Sequence, residues 1–388
     1  MTQQPSTHHA SDPSVLPLIM SRRVLISVGS GGVGKTTMAA ALGLVAARAG
    51  RRTLVMTIDP ARRLATSLGL TSLSNDEQMI PQAKLAPFGI APGSLYAMML
   101  DAKRTFDDMV QRHAPDGPTI KRLLQSKIYQ QIASRLAGGQ EYAAMEKLHQ
   151  IWQEGDFDLL LLDTPPTANA LDFLEAPRKM VEAVESPAIG LFVKTYRKAG
   201  SLSLGLLGFG AAYVVRRLAR FTGGGFLDDI AHFLSDLSGL LGGMHDRASQ
   251  VMDLLRLDEV GFVIVTSPDP RAIDEAIALH DRLRQSEMLP GAFIINRVHP
   301  LDEVRLSGAE LEQQLVVMGT LPEMVPHLAR LLLEAHRKLQ VLAVGDAAEV
   351  RRLRDHCGDG YPYVEVPLFD EDVHDIGGLV RLGRWLQP

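Results

Sequence analysis

The sequence predicts an α/β protein with a doubly wound, mostly parallel sheet and a helical insertion. Three observations carry that prediction. Apolar runs without polar alternation recur along the chain, as strands buried on both faces require. Helical patterns separate these runs. The first is the Ala- and Leu-rich stretch Met38–Ala49, between the runs Val24–Val28 and Thr53–Ile58. The polar motifs fall at the C-terminal ends of the runs, where open α/β sheets bind ligands. Ser94–Leu100, Asp158–Leu162, Phe262–Thr266, Ala292–Asn296 and Val364–Leu368 complete the expected strands.

Length and composition bound what such a sheet can do. The chain has 388 residues, enough for about two ordinary domains or one large domain with insertions. Its composition is that of a soluble globular protein. A net charge of −5 sets up no basic field to draw it to nucleic acid. The single cysteine, Cys357, excludes an intrachain disulfide and an intrachain CxxC metal clip. Residues 1–20 read as a polar, disordered tail with one short apolar stretch, Val15–Met20. This lacks the basic start and longer apolar core of a signal peptide. A cytoplasmic location is expected from the single cysteine and, more firmly, from the phosphate loop at Gly29–Thr37. His8 and His9 have no further ligand at workable spacing and read as tail.

The first strand runs into Gly29-Ser30-Gly31-Gly32-Val33-Gly34-Lys35-Thr36-Thr37, which fits the phosphate-loop pattern G-x-x-x-x-G-K-[ST]. Backbone N–H groups of such a loop point at phosphate oxygens, and the helix N-terminus adds positive potential. Gly31, Gly32, Val33, Gly34, Lys35, Thr36 and Thr37 are therefore the expected nucleotide-binding residues. Lys35 would reach the β/γ-phosphates and the Thr36 hydroxyl would help hold Mg²⁺. ATP and Mg²⁺ are the implied ligands, and the sheet is expected to be of the phosphate-loop NTPase type.

Other motifs fall at later strand ends. Asp59 follows the second strand in Thr57-Ile58-Asp59-Pro60-Ala61; it either positions the attacking water or caps the next helix. Asp158-Leu159-Leu160-Leu161-Leu162-Asp163 reads as a Walker B strand, with Asp163 binding Mg²⁺ through water. Asp158, at the far end of that strand, reads as structural. Thr164, Pro165, Pro166 and Thr167 then begin a loop suited to sensing the γ-phosphate. Asn296 and Arg297 close a late strand, and the Asn amide can match an adenine edge or form a polar turn. Pro367 and Leu368 could wall the base.

Two stretches depart from strand–helix alternation. Lys103–Gln150 reads as helical, with a break at Pro115-Asp116-Gly117-Pro118. Residues 186–249 form an apolar insertion flanked and interrupted by basic residues, and Ala199–Val215 carries no charge. Three readings stay open for it: a packed helical subdomain, an apolar surface for a hydrophobic partner or membrane face, and a transmembrane helix. The expected organisation is thus the tail 1–20, an ATPase domain from 21–185 and 250–388, and the insertion 186–249.

Six blocks in order make the chain resemble the ArsA-type ATPases. This family includes the arsenite-pump motor and the ATPases that target tail-anchored membrane proteins, and it sits in the deviant Walker A class with MinD and ParA. The blocks are GSGGVGKTT (Gly29–Thr37), IDPARRLATSLG (Ile58–Gly69), GGQEYAAMEKL (Gly138–Leu148), DTPPTANALDFLEAP (Asp163–Pro177), INRV (Ile295–Val298) and VPLFDEDVHDIGGL (Val366–Leu379). The pattern is most similar to bacterial Get-like subunits. The resemblance implies ATP hydrolysis in a homodimer or a heterodimer with a paralogous subunit, with Asp59 and Lys35 as catalytic residues. It implies that Asp163–Asn169 forms switch II, that Asn296 and the Pro367 loop lie around adenine, and that the insertion handles a hydrophobic membrane-protein client. It leaves an anion-transport motor and an ATP-binding scaffold with weak hydrolysis as alternatives.

The chain departs from that family at two places. The deviant Walker A class carries a signature lysine just after the first loop glycine, and here that position is Ser30. A hydroxyl supplies no positive charge, so hydrolysis is slow, a non-identical partner donates the cation, or Arg62 or Arg63 substitutes for it. The lone cysteine also argues against thiolate binding of metalloids and against a zinc-stapled dimer. A positioning ATPase on a membrane surface ranks last; it needs a basic amphipathic terminal helix, and Ile376–Leu386 is a short candidate.

Overall fold

The computed structural model describes residues 14–58, 63–126, 129–130, 139–165, 233, 236, 246–301 and 307–387. Within them lies one eight-stranded sheet. Its strands are β1 (Val24–Val28), β2 (Thr53–Thr57), β3 (Gln78–Met79), β4 (Leu95–Met99), β5 (Leu159–Asp163), β6 (Val260–Thr266), β7 (Pro290–Val298) and β8 (Tyr363–Pro367). The order is β3-β4-β2-β5-β1-β6-β7-β8, and only the β3–β4 pair is antiparallel.

All seven strands read from the sequence are present, with ends shifted by one or two residues. The shift in β5 has chemical meaning: the strand is Leu159–Asp163, so Asp163 is its last residue. β3 escaped sequence reading because two residues carry no period.

The apolar runs are continuous because both faces of each strand are covered. Val24, Ile26 and Val28 of β1 pack on one side with Leu160, Leu162, Phe262 and Ile264. Leu25 faces the other side with Val55, Leu161 and Val263. The first side is covered by α5 (Ala102–His113), α7 (Gly139–Glu154), α8 (Pro270–Gln285) and the end of α10 (Val325–Cys357). The second is covered by α2 (Lys35–Arg48) and α11 (Ile376–Leu386). α2 is buried nearly all round, which explains its composition: small Ala side chains let it lie close to the sheet.

The break in the Lys103–Gln150 stretch is real. α5 ends at His113, and Asp116 caps α6 (Gly117–Gln125), its carboxylate accepting from the Thr119 N–H at 2.7 Å.

One expectation is corrected. Residues 14–20 are not tail: Leu16–Ser21 forms α1, and Val15 and Ile19 are fully buried in the α2 layer. Each such side chain contributes roughly 1.5–3 kcal/mol by leaving water. Ile376–Leu386 is a helix, but its apolar side, with Leu379, Leu382 and Leu386, is buried with α2 rather than offered to a membrane. Its end is tied to the N-terminal segment by the Val15 N–H donating to the Leu386 carbonyl at 3.0 Å.

Between β7 and α10 lies α9 (Gly308–Val317), which packs on α10 through Leu315, Val325 and Ala329. Among the described residues no helix is long and apolar enough to cross a membrane. Nearly all of the insertion 186–249 lies outside the described residues, as do Asp59, Arg62, Pro166 and Thr167.

Candidate functional site

The site lies where β1, β2, β5 and β7 end on the same edge of the sheet. β1 runs into the Gly29–Gly34 loop, and the loop into α2, which begins at Lys35 rather than at Met38. Gly29 has φ +149°, and a Cβ there would lie 2.0 Å from the Val265 carbonyl oxygen of β6. Only glycine lets the loop leave the sheet so close to a neighbouring strand. Gly34 is the N-cap of α2 with φ +103°, and a Cβ would meet the Asn296 side chain at 2.5 Å. No side chain caps this N-terminus, whose dipole is positive toward the loop.

Lys35 is buried, and its Nζ donates to the carbonyls of Gly29 and Ser30, both at 2.8 Å. The ammonium thus sits inside the curve of the loop. The Ser30 hydroxyl is buried there with no hydrogen-bond partner among the described residues. An orphaned donor beside a lysine and an uncapped helix N-terminus suits an anion.

Below the loop stands a hydroxyl–carboxylate cluster. Asp163 Oδ2 accepts from Thr36 Oγ1 at 2.7 Å and from Thr57 Oγ1 at 2.9 Å. The sheet register produces this: Thr57 of β2 and Ser27 of β1 both lie level with Asp163 of β5. Asp163 is fully buried. A buried carboxylate with a threonine hydroxyl in its hydrogen-bond shell is a hard oxygen set, which fits Mg²⁺. The next residue, Thr164, donates through Oγ1 to the Ser27 carbonyl at 2.8 Å, anchoring the start of the following loop to β1.

On the other side, Asn296 is buried and its Nδ2 donates to the Val33 carbonyl at 2.8 Å, so β7 braces the phosphate loop. Arg297 follows at φ +65°, a left-handed conformation for a bulky residue, and the β7–β8 register shifts there. Its side chain is exposed. The Leu368 N–H donates to the Val298 carbonyl at 2.9 Å, which brings Pro367 and Leu368 beside the end of β7. Just beyond, Asp346 of α10 grips His299: one carboxylate oxygen lies 2.8 Å from both the His299 backbone N and Nδ1.

The structure therefore brings together Lys35, Thr36, Asp163, Thr164 and Asn296, with Pro367 and Leu368 at the rim. Thr57, Ser27 and Asp346 are additions. Thr57 was visible in the sequence only as the residue before Ile58 and Asp59; its role needs the β2–β5 register. Asp158 has the structural role expected of it, accepting from the Arg52 N–H at 2.8 Å. Arg63 opens the short helix α3 (Arg63–Ser67) and is exposed.

A parallel sheet whose first strand feeds a glycine loop and helix, with an aspartate at the end of the strand beside it, defines the phosphate-loop NTPase class. Within that class, the model of the family described as anion-transporting ATPase matches residues 22–222, more than half of the chain. The chain belongs to this family. An uncharacterised protein of Streptomyces coelicolor is 32% identical over 163 residues, 42% of this chain and 39% of its own length. ATPase GET3C of Arabidopsis thaliana is 25% identical over 321 residues, 78% of this chain and 74% of that one. ATPase get3 of Schizosaccharomyces japonicus is 26% identical over 156 residues, 40% of this chain and 44% of that one. The chain thus spans about two fifths of the length of two of these relatives.

Proposed function

We propose that this chain binds Mg·ATP at the Gly29–Thr37 loop, hydrolyses it, and uses the change to handle a hydrophobic membrane-protein client from the cytoplasm. The observation that carries the reading is the cluster of Thr36, Asp163 and Thr57 beneath a lysine-bearing loop at a helix N-terminus. In this reading Lys35 offsets phosphate charge, and loop N–H groups orient the phosphates. Thr36 and Asp163 would hold the magnesium ion, which when bound supplies further neutralisation of the triphosphate. Thr57 fixes the Asp163 rotamer, and Asn296 keeps the loop curved. Asp59 is assigned the attacking water. Thr164, Pro165, Pro166 and Thr167 form the segment that responds to the γ-phosphate, anchored at Thr164. Asn296, Arg297, Pro367 and Leu368 surround the base.

The working unit in this reading is a dimer, either of two copies or with a paralogous subunit. Ser30 favours the second arrangement, or an ATP-binding scaffold with weak hydrolysis, because a partner can supply the cation that Ser30 lacks. Arg62→Ala and Arg63→Ala variants decide whether this chain supplies it instead: full turnover in both removes that option. The family description favours a second role, as the motor of an anion transporter, although a lone buried cysteine offers no thiolate cluster for a metalloid. Titration calorimetry with Mg·ATP tests the binding step. Wild type is expected to bind, Lys35→Ala to lose at least tenfold in affinity, and Asp163→Asn to lose the dependence on Mg²⁺. Equal binding by all three would end the proposal.

A further inference from the structure

Strand β1 reads Val24-Leu25-Ile26-Ser27-Val28, apolar throughout except for one hydroxyl. Side chains alternate along a strand, and Leu25 faces the α2 layer, so Ser27 faces it too. The same count from Val55 and from Leu161 puts Thr57 and Asp163 on that face. The parallel register sets Ser27 beside Asp163 of β5 on one side and beside the apolar Val263 of β6 on the other.

The other hydroxyls around this point are engaged. Thr36 and Thr57 donate to Asp163 Oδ2, and Thr164 donates to the Ser27 carbonyl. The Ser27 hydroxyl is buried and has no hydrogen-bond partner among the described residues. A hydroxyl in that condition costs stability, and an apolar side chain of its size would suit β1 better. Its partner is therefore to be sought in what the site binds. The oxygen donors around it, one carboxylate among hydroxyls, are hard and suit magnesium, which keeps several of its waters when protein-bound. Such waters need neighbours that accept or donate hydrogen bonds, and a serine hydroxyl does both. Asp163 is shut in as fully as Ser27, so entry of a hydrated ion parts the cluster and reaches both.

We infer that Ser27 is a positioning residue for the metal: its hydroxyl hydrogen-bonds a water of the magnesium ion's hydration shell and so helps to fix the ion beside Asp163. The inference rests on the Mg·ATP reading above and adds a residue to it.

The test measures ATP affinity of the full chain by calorimetry, with excess Mg²⁺, with excess Ca²⁺ and with EDTA, beside urea unfolding without ligand. Ser27→Ala is expected to bind ATP in EDTA as wild type does, and to unfold at the same or a higher urea concentration. Its gain in ATP affinity from Mg²⁺ is expected to be about tenfold smaller than that of wild type. Its gain from Ca²⁺, whose coordination is looser, is expected to change by less than about threefold. Ser27→Thr keeps the hydroxyl and is expected to keep the wild-type Mg²⁺ gain. An equal Mg²⁺ gain in wild type and Ser27→Ala overturns the inference and leaves Mg·ATP binding standing. A Ser27→Ala chain that unfolds at lower urea, or binds ATP more weakly in EDTA, has lost a structural contact, which also overturns it. So does a loss as large with Ca²⁺, or a Ser27→Thr chain that folds as wild type and loses the gain. A wild-type chain whose ATP affinity ignores Mg²⁺ removes the magnesium reading together with this one.

Discussion

Gly29 is where the site and the fold are least separable. Its Cβ would lie 2.0 Å from a β6 carbonyl oxygen, and its φ lies where side chains are strained. Gly29→Ala is expected to destabilise the fold by about 3 kcal/mol, from overpacking and backbone strain together, as read by urea unfolding. Other residues set the pH limits. Burial, with a smaller push from Asp281, raises the Cys357 thiol to about 12. Burial also raises the Tyr129, Tyr142 and Tyr363 hydroxyls. The folded state holds these protons more tightly than the unfolded chain, so stability is full below about pH 9 and falls as pH rises towards 12. Burial lowers His149, and burial with nearby arginines lowers His113. Their contribution is present above pH 6.5 and is lost as pH falls below it. A stability profile flat from pH 8 to pH 11 would contradict the alkaline arm. At pH 8 Cys357 should resist alkylation in the native chain and react once unfolded.

The elements show what a sequence can and cannot carry. The parallel strands were legible because a strand buried on two faces needs an unbroken apolar run. The loop was legible because its glycines and lysine fall at the fixed spacing of a phosphate-loop pattern, and Gly29 and Gly34 leave no room for a Cβ beside Val265 and Asn296. Thr57 and Asp346 were not legible. Thr57 meets Asp163 across 106 residues, and Asp346 meets His299 across 47, so both pairings exist only once the sheet and α10 are in register. α1 was misread because six residues are too short to show a helical period, and only their burial reveals them. α10 was not read at all: its first half carries leucines on more than one side, as a helix with two sets of neighbours does. The Asp346–His299 pair ties this helix to the strand that braces the phosphate loop. Asp346→Ala is expected to raise KM for ATP several-fold with little change in kcat, because it loosens the end of β7 without touching Lys35 or Asp163. A fall in kcat at unchanged KM would place Asp346 elsewhere in the cycle.

At the scale of the whole molecule, the sheet does two jobs. It sets Thr57 and Asp163 side by side beneath the Lys35 loop, and it packs against the end of the long helix α10 through Val350, Leu353 and Cys357. Asn296 braces the loop and His299, just past the end of β7, meets Asp346, so this strand ties α10 to the candidate site. Everything rests on the loop acting on a nucleoside triphosphate. The most direct measurement is phosphate release from ATP by the purified full chain, with and without Mg²⁺, beside Lys35→Ala and Asp163→Asn. The account predicts Mg²⁺-dependent release, slow if Ser30 leaves a charge missing, and at least a hundredfold less in either variant. Release that persists unchanged in Lys35→Ala, or that ignores Mg²⁺, would contradict it.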